Sequence, residues 1–203
     1  MALRTDPITA RRIERLKTVL HDRVRREIAV APPLARAGVL LPLFLGDQGP
    51  GLLFTRRTDT VLTHKGQISF PGGQHEASDS TLVETALRES YEEIGLEAAR
   101  VEVLGELDDV FTSVSGFVIT PVVGIVEGAV GNLRLAPDEV RSVFLVPLTT
   151  LMDPAIHRDE TRVFEGERYR IHYYSVGEDV IWGATGRIVY QFLKAWQQAQ
   201  PAG

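Results

Sequence analysis

The chain predicts an α+β fold, an α/β/α sandwich around a mixed sheet, and two observations carry that expectation. Short β-type runs lie on both sides of one strongly amphipathic central segment, and helical periodicity returns at both ends of the chain. Strands and helices do not alternate regularly, so a repeating βαβ array is not expected. At 203 residues, with no internal repeat or long linker, the sequence is read as one domain over 1–203. Within it, 1–33 forms an N-terminal helical extension and 38–198 the core.

Thr9–Ala29 reads as the first helix: Ile13, Leu16, Leu20, Val24 and Ile28 recur three or four apart before Ala31-Pro32-Pro33 breaks the pattern. Its arginines (Arg11, Arg12, Arg15, Arg23, Arg25, Arg26) form either a phosphate or membrane patch or a solvated helix face. The interrupting Glu14, Asp22 and Glu27 favour the solvated face. Val39–Leu45 and Gly51–Thr55 are apolar runs joined by Gly46-Asp47-Gln48-Gly49-Pro50, the chemistry of a hairpin. Val101–Leu107, Phe117–Val126, Ser142–Val146 and Glu167–Val176 are further strands. The middle helix is expected over Leu82–Ile94 and the last over Ala184–Gln198, packed through Ile188, Phe192, Leu193 and Trp196. Trp182 and Tyr190, beside that helix, are expected in the core rather than as a base-stacking platform.

Composition excludes several chemistries. A net charge of −5 argues against a protein that coats nucleic acid. No cysteine is present, which removes disulfides, thiolate catalysis and cysteine-ligated metal centres. No run approaches the roughly 18 apolar residues of a membrane span, and neither a secretory core nor a terminal retention signal is evident, so a cytoplasmic location is expected.

The most informative stretch is Gln67-Ile68-Ser69-Phe70-Pro71-Gly72-Gly73 followed by Arg88-Glu89-Ser90-Tyr91-Glu92-Glu93 and Gly95. Thr81 and Glu84 have capping-box spacing, with Asp79 or Ser80 as other possible caps, and Gly95 stands where a left-handed cap belongs. Between them Glu89, Glu92 and Glu93 fall at i, i+3 and i+4, on one stripe, while Ala86, Leu87, Tyr91 and Ile94 supply buried surface. Arg88 is placed to orient a carboxylate. Crowded carboxylates repel, and beside a Gly-Gly turn, which lets backbone oxygens approach a ligand, they suit Mg²⁺ or Mn²⁺ over a bound phosphate.

These residues resemble a Nudix box: Gly73, Asp79, then Arg88, Glu89, Ser90, Glu92, Glu93, Gly95 and Leu96. Asp79 stands where a glutamate is usual, eight residues rather than seven separate it from Arg88, and Ser90 occupies a generally aliphatic position. Leu53-Phe54-Thr55-Arg56-Arg57 and Leu62-Thr63-His64-Lys65-Gly66-Gln67 through Gly73 resemble the extended motif of the coenzyme A pyrophosphatase branch, in which the extra residue is usual. Ser113–Pro121 and Ile181-Trp182-Gly183-Ala184-Thr185 are similar to that branch too, so the likeness runs from about Val39 to Leu193.

The resemblance implies a Nudix fold and a hydrolase that splits the pyrophosphate of coenzyme A or its derivatives into 3′,5′-ADP and (acyl-)phosphopantetheine. It implies Mg²⁺ or Mn²⁺ on Glu89 and Glu93, with Glu92 and the Gly73 carbonyl as further ligands, and Arg88 in positioning. The general base is either a glutamate of the helix, such as Glu92 or Glu93, or Glu139 in Pro137-Asp138-Glu139-Val140, which otherwise reads as a turn. Asp108 and Asp109 read as a structural strand-end turn. Arg56, Arg57, His64, Lys65 and Gln67 are the expected substrate-binding residues, with strand alternation directing one of the two arginines to the site. The partner is a small molecule, with neither nucleic acid nor membrane, and a homodimer is one possible state. Other substrates (ADP-ribose, NADH, dinucleoside polyphosphates) or a non-catalytic nucleotide sensor are the competing readings.

Overall fold

Strand β1 (Ala35–Gly46) is buried without interruption from Ala37 to Phe44, on both faces, and the molecule is layered around it. A continuous apolar run of this kind marks a strand covered from both sides. The computed structural model describes residues 6–46, 49–58, 67–112, 116–164 and 166–200. Helix α1 (Pro7–Asp22) precedes β1, and β2 (Gly49–Arg57), β3 (Ile68–Ser69), β4 (Gly72–Gln74) and α2 (Leu82–Ile94) follow. Next come β5 (Val101–Glu106), β6 (Val110–Thr112), β7 (Phe117–Val126), β8 (Val140–Pro147) and the single turn α3 (Leu148–Leu151). The chain closes with β9 (His157–Phe164), β10 (Glu167–Val176), β11 (Asp179–Ile181) and α4 (Gly183–Gln198).

The main sheet runs β3-β2-β1-β7-β5, with β4 added to β1, β6 to β7 and β8 to β2. Only β1 and β7 pair in parallel among these described strands; the rest are antiparallel, so the sheet is mixed. Strands β9, β10 and β11 form a separate antiparallel sheet. Leu41, Leu52, Phe54, Phe192 and Trp196 bury one face of the main sheet under α1 and α4. Leu40, Leu53, Ala86, Ile94 and Val122 bury the other under α2. This is the expected α/β/α sandwich.

Helix α2 lies unusually close to the sheet. A Cβ on Gly38 would meet the Leu82 carbonyl at 2.4 Å, well inside contact distance. Thr81 caps the helix by accepting from Glu84 N, and Gly95 ends it at φ 65° with its N–H on the Ser90 and Tyr91 carbonyls. Ser90, at the position expected to be aliphatic, is fully buried and its hydroxyl donates to the Ala86 carbonyl at 2.6 Å. That internal bond meets its polar requirement without a second partner. Tyr91, expected to be buried, is instead half exposed.

The first helix is shorter than its periodicity suggested. It ends at Asp22 rather than Ala29, and Val24 is almost wholly exposed. Residues 23–28 run as an extended strap because their polar groups find better partners across the chain. Asp109 N donates to Arg26 O at 3.0 Å, Arg26 N to Asp108 Oδ1 at 3.0 Å and Ile28 N to Asp109 Oδ2 at 2.9 Å. Arg23 pairs with Asp108, and Arg25 with Glu106. The Asp109 side chain, fully buried, also accepts from the Thr120 hydroxyl at 2.8 Å. The acidic pair therefore fastens the strap. Strands β9 and β11 lie outside every expected strand; Arg, Asp, Glu and Thr break the apolar pattern that would have marked β9.

Replacing Asp109 with Ala leaves a buried amide, a hydroxyl and Arg25 short of a partner. The expected cost is about 3 kcal/mol in denaturant unfolding, with new protease cleavage within residues 23–28.

Candidate functional site

The carboxylates of α2 meet the Gly-Gly turn at the end of the sheet where β1 begins. Strand β4 pairs with β1 through Gly38–Gly73 and Val39–Gly72, which brings the turn beneath the helix. A Cβ on Gly73 would lie 2.5 Å from the Glu89 carboxyl carbon, so any side chain there would displace that carboxylate. Glu93 goes deeper. It is 5% exposed, and Oε2 accepts from Gly72 N at 3.3 Å. Arg57 Nη1 stands 3.9 Å from Glu93 Oε1, an attraction across a gap rather than a hydrogen bond.

Electrostatics follow from this burial. Glu93 is pushed up to about 8, chiefly by burial; Arg57 and the Gly72 N–H oppose the shift, while Glu89 and Glu139 add to it. Glu89, half-buried, is raised for the same leading reason, and Arg88 pulls it back. Glu93 thus carries a demand for positive charge that its neighbours meet only in part, while Glu89 has Arg88 beside it.

Arg88 ties the outer part of the site together. Its Nε and Nη2 reach Asp79 Oδ1 and Oδ2 at 2.9 and 3.0 Å, a two-pronged pair. Nη1 bonds Glu89 Oε1 at 2.9 Å and Glu92 Oε2 at 3.1 Å, and Nη2 also reaches the Gln74 carbonyl at 3.0 Å. Asp79 is held well below the ordinary carboxylate range, first by Arg88. Thr85, buried, donates to Asp79 Oδ2 at 2.9 Å and meets His75 Nδ1 at the same distance. The sequence marks Asp79 as a Nudix-box position and an alternative helix cap, not as the partner of Arg88. Nine positions before Arg88, it has no helical spacing to it, and only the return of the chain at residues 75–81 brings the two together.

Glu139 arrives from the loop before β8. Ala136 N donates to the Glu93 carbonyl at 2.9 Å, Thr58 N to the Glu139 carbonyl at 3.0 Å and the Thr58 hydroxyl to the Asp138 carbonyl at 3.0 Å. The exposed Glu139 side chain is close enough for its charge to raise both Glu89 and Glu93. Glu92 lies at the rim, with its side chain 55% exposed, facing Arg88.

Arg56 and Arg57 part company at a β-bulge where β2 pairs with β8. Arg57 reaches Glu93, whereas Arg56 pairs with Asp179 at 2.5 Å and lies over the Phe144 ring. Gln67 is half-buried, and its carbonyl accepts from Arg57 N at 3.1 Å. His64 and Lys65 lie outside the described residues. One expectation for another residue needs correction. Trp182 is 47% exposed rather than in the core, because it precedes α4 instead of lying on its packed face. His157 and His172, which have no ligand spacing in sequence, face each other across β9 and β10 at 3.1 Å. An apolar hollow of about 140 Å³ lined by Ile8, Arg12, Pro50, Met152 and Trp196 sits at the opposite end of β1 and β2 and holds no carboxylate.

The donors fit a hard divalent ion. They are all oxygen: Glu93, enclosed with only part of its counter-charge, Glu89 nearby, and a glycine that leaves room beside Glu89. Among the described residues no three acidic or histidine side chains converge as a closed cage. An ion that keeps several waters and takes one or two carboxylates, as Mg²⁺ does, suits such an open set. No helix of the described residues is long and apolar enough to cross a membrane.

Comparison with known proteins agrees. The NUDIX domain family model matches residues 34–166. A Nudix hydrolase named NudL from Photorhabdus laumondii is 34% identical over 186 residues, covering 88% of this chain and 98% of that protein. Nudix hydrolase 3 of Caenorhabditis elegans is 29% identical, covering 89% of this chain and 81% of its own length. In structure, the MutT protein of Methanosarcina mazei superposes with a TM-score of 0.55 at 16% identity, over 85% of this chain and all (100%) of that one, a likeness of fold. The chain therefore belongs to the Nudix family, as a hydrolase of phosphoric anhydrides that acts on nucleoside diphosphate derivatives.

Proposed function

We infer that the substrate is coenzyme A or one of its derivatives, cleaved at the pyrophosphate to 3′,5′-ADP and (acyl-)phosphopantetheine. The observation that carries this reading is the Asp79–Arg88 clamp. The eight-residue gap between them departs from the general Nudix box yet closes on a two-pronged ion pair, and by resemblance the extra residue is usual in the coenzyme A branch. The Leu62–Gly73 motif points to the same branch.

In this reading Glu89 and Glu93, with the Gly73 carbonyl and Glu92 at the rim, hold Mg²⁺ or Mn²⁺. When bound, such an ion would neutralise the diphosphate and lower the pKa of a bound water. The chain's own groups do the rest. Arg88 fixes Glu89 and Glu92 in register. Arg57 offers its guanidinium to a phosphate oxygen beside Glu93, with Gln67, His64 and Lys65 on the adjoining segment; Arg56, already held by Asp179, orders the strand beside it. Glu139 accepts the proton as the oxygen of water bonds to phosphorus and the P–O anhydride bond breaks, leaving its electron pair on the departing phosphate. Its exposed carboxylate meets solvent while facing the inner pair, whereas Glu93 is enclosed.

Incubation of the purified protein with coenzyme A and Mg²⁺, followed by chromatography, is expected to release 3′,5′-ADP and phosphopantetheine. Much faster cleavage of ADP-ribose, NADH or dinucleoside polyphosphates would overturn the substrate while leaving the reaction class intact. Glu139→Gln is expected to lower kcat by roughly 10²–10⁴-fold, the range for loss of a general base, with little effect on KM.

Glu93 also gives a stability prediction. Its folded-state value of about 8 lies above the ordinary 4.5. Between those values the unfolded chain has released the proton that the folded chain keeps, so metal-free stability falls as pH rises toward about 8 and then levels. Glu93→Gln is expected to remove this slope and raise the metal-free Tm at pH 8, by about 2–4 °C for each kcal/mol recovered, while cutting turnover at least about 100-fold at saturating metal. Undiminished turnover would remove Glu93 from the ligand set.

A further inference from the structure

The two faces of the β9-β10-β11 sheet differ in chemistry. The face toward α4 carries His157, His172 and Tyr174, with the His172 ring 3.9 Å from Tyr190. The opposite face carries Arg158 across from Tyr173, and Arg162 across from Tyr169. There the Arg158 guanidinium sits 3.8 Å over the Tyr173 ring. Tyr173 in turn lies within 10° of parallel to the Trp182 indole, with centroids 6.3 Å apart.

Each layer of this stack is held differently. Tyr173 is buried, and its hydroxyl donates to Glu160 Oε1 at 2.6 Å, which locks the ring. Arg162 Nε occupies the same Glu160 oxygen at 2.6 Å. Arg158 stays 3.8 Å from Glu160 Oε2, too far for a hydrogen bond, with its side chain 61% exposed. Trp182 keeps nearly half its surface in water. An exposed indole and a guanidinium on either side of the Tyr173 ring, in a chain of net charge −5, offer a flat π surface and anion-binding donors on one face of the sheet.

The platform adjoins the strand that leads into the site. The Thr185 hydroxyl donates to the Ile68 carbonyl at 3.2 Å, and Asp179 of β11 holds Arg56. Gly72 lies four positions after Ile68, and Thr185 three positions after Trp182. Trp182 thus stands within about 20 Å of the Gly-Gly turn, a distance that an extended dinucleotide-like molecule spans.

We propose that Trp182, Tyr173 and Arg158 form the nucleoside subsite of this hydrolase, with the base stacking on Trp182 and Arg158 taking a ribose phosphate outside the scissile diphosphate. The proposal rests on the reading of the Glu89–Glu93 site as the place of diphosphate cleavage, and it names what the far end of that substrate must be: a base bearing a further phosphate. Charge complementarity selects this occupant over a purely apolar one.

Two measurements test it. Titrating wild-type protein with 3′,5′-ADP is expected to quench tryptophan fluorescence saturably. Trp182→Phe should remove most of that signal, and Arg158→Ala should weaken binding about 10-fold, the scale of one charge-assisted contact. In steady-state kinetics with coenzyme A, Trp182→Ala should raise KM by roughly 5–150-fold, the range for one stacked base, with kcat within about twofold. Arg158→Ala should raise KM for coenzyme A but not for dephospho-coenzyme A. Quenching that survives Trp182→Phe unchanged, or a KM that ignores both substitutions, overturns the subsite. Weaker self-association of Trp182→Ala in sedimentation with KM unchanged overturns it too, marking the face as a contact between copies. If 3′,5′-ADP quenches Trp182 but coenzyme A is not cleaved, the subsite stands and the substrate reading falls; cleavage with KM insensitive to both variants gives the reverse.

Discussion

The closeness with which α2 is pressed onto the sheet governs the rest of the molecule. Gly38 and Gly73 have no room for a side chain, because the Leu82 carbonyl and the Glu89 carboxylate occupy the space a Cβ would need. That approach buries Glu93 under the Gly-Gly turn and denies it water. Burial of a carboxylate without a full counter-charge is destabilising, and Arg57 at 3.9 Å answers it only in part. The fold thus encloses Glu93 with less counter-charge than its burial calls for.

Around that inner pair the protein arranges its own cations economically. Arg88 contacts three carboxylates and a backbone carbonyl, and it fixes the helix against residues 74–79 while pairing with Glu89 of the inner site. Its anchor, Asp79, is held in turn by Thr85 and the Glu76 amide. Glu93 is left incompletely matched while Glu89, Glu92 and Asp79 have Arg88, a division that suits binding of a divalent ion with its phosphate ligand. Structural acids behave differently: Asp108 and Asp109 are saturated by backbone amides, arginines and Thr120, and they serve to strap residues 23–28.

How much could be read in advance depended on whether the partner was local. Helix α2 was bounded correctly at both ends, since Thr81, Glu84 and Gly95 act within a few residues of their own positions. The glutamate stripe followed from the same periodicity. Helix α1 was over-extended because Val24 and Ile28 continue its spacing, while the competing bonds come from Asp108 and Asp109, some eighty residues away. Strand β9 was missed for a related reason: its alternation serves a sheet whose outer face is polar and aromatic rather than apolar.

The sequence by itself determined the family, the α/β/α layering and the row of carboxylates, because each depends on spacing along the chain. Tertiary structure decided which of those carboxylates is enclosed, that Arg56 and Arg57 diverge at a bulge, that Glu139 comes within electrostatic reach of the helix, and that Trp182 stands in solvent beside Tyr173 and Arg158. Burial and charge coupling are properties of groups that meet only on folding. No spacing along the chain encodes how far a carboxylate ends up from water.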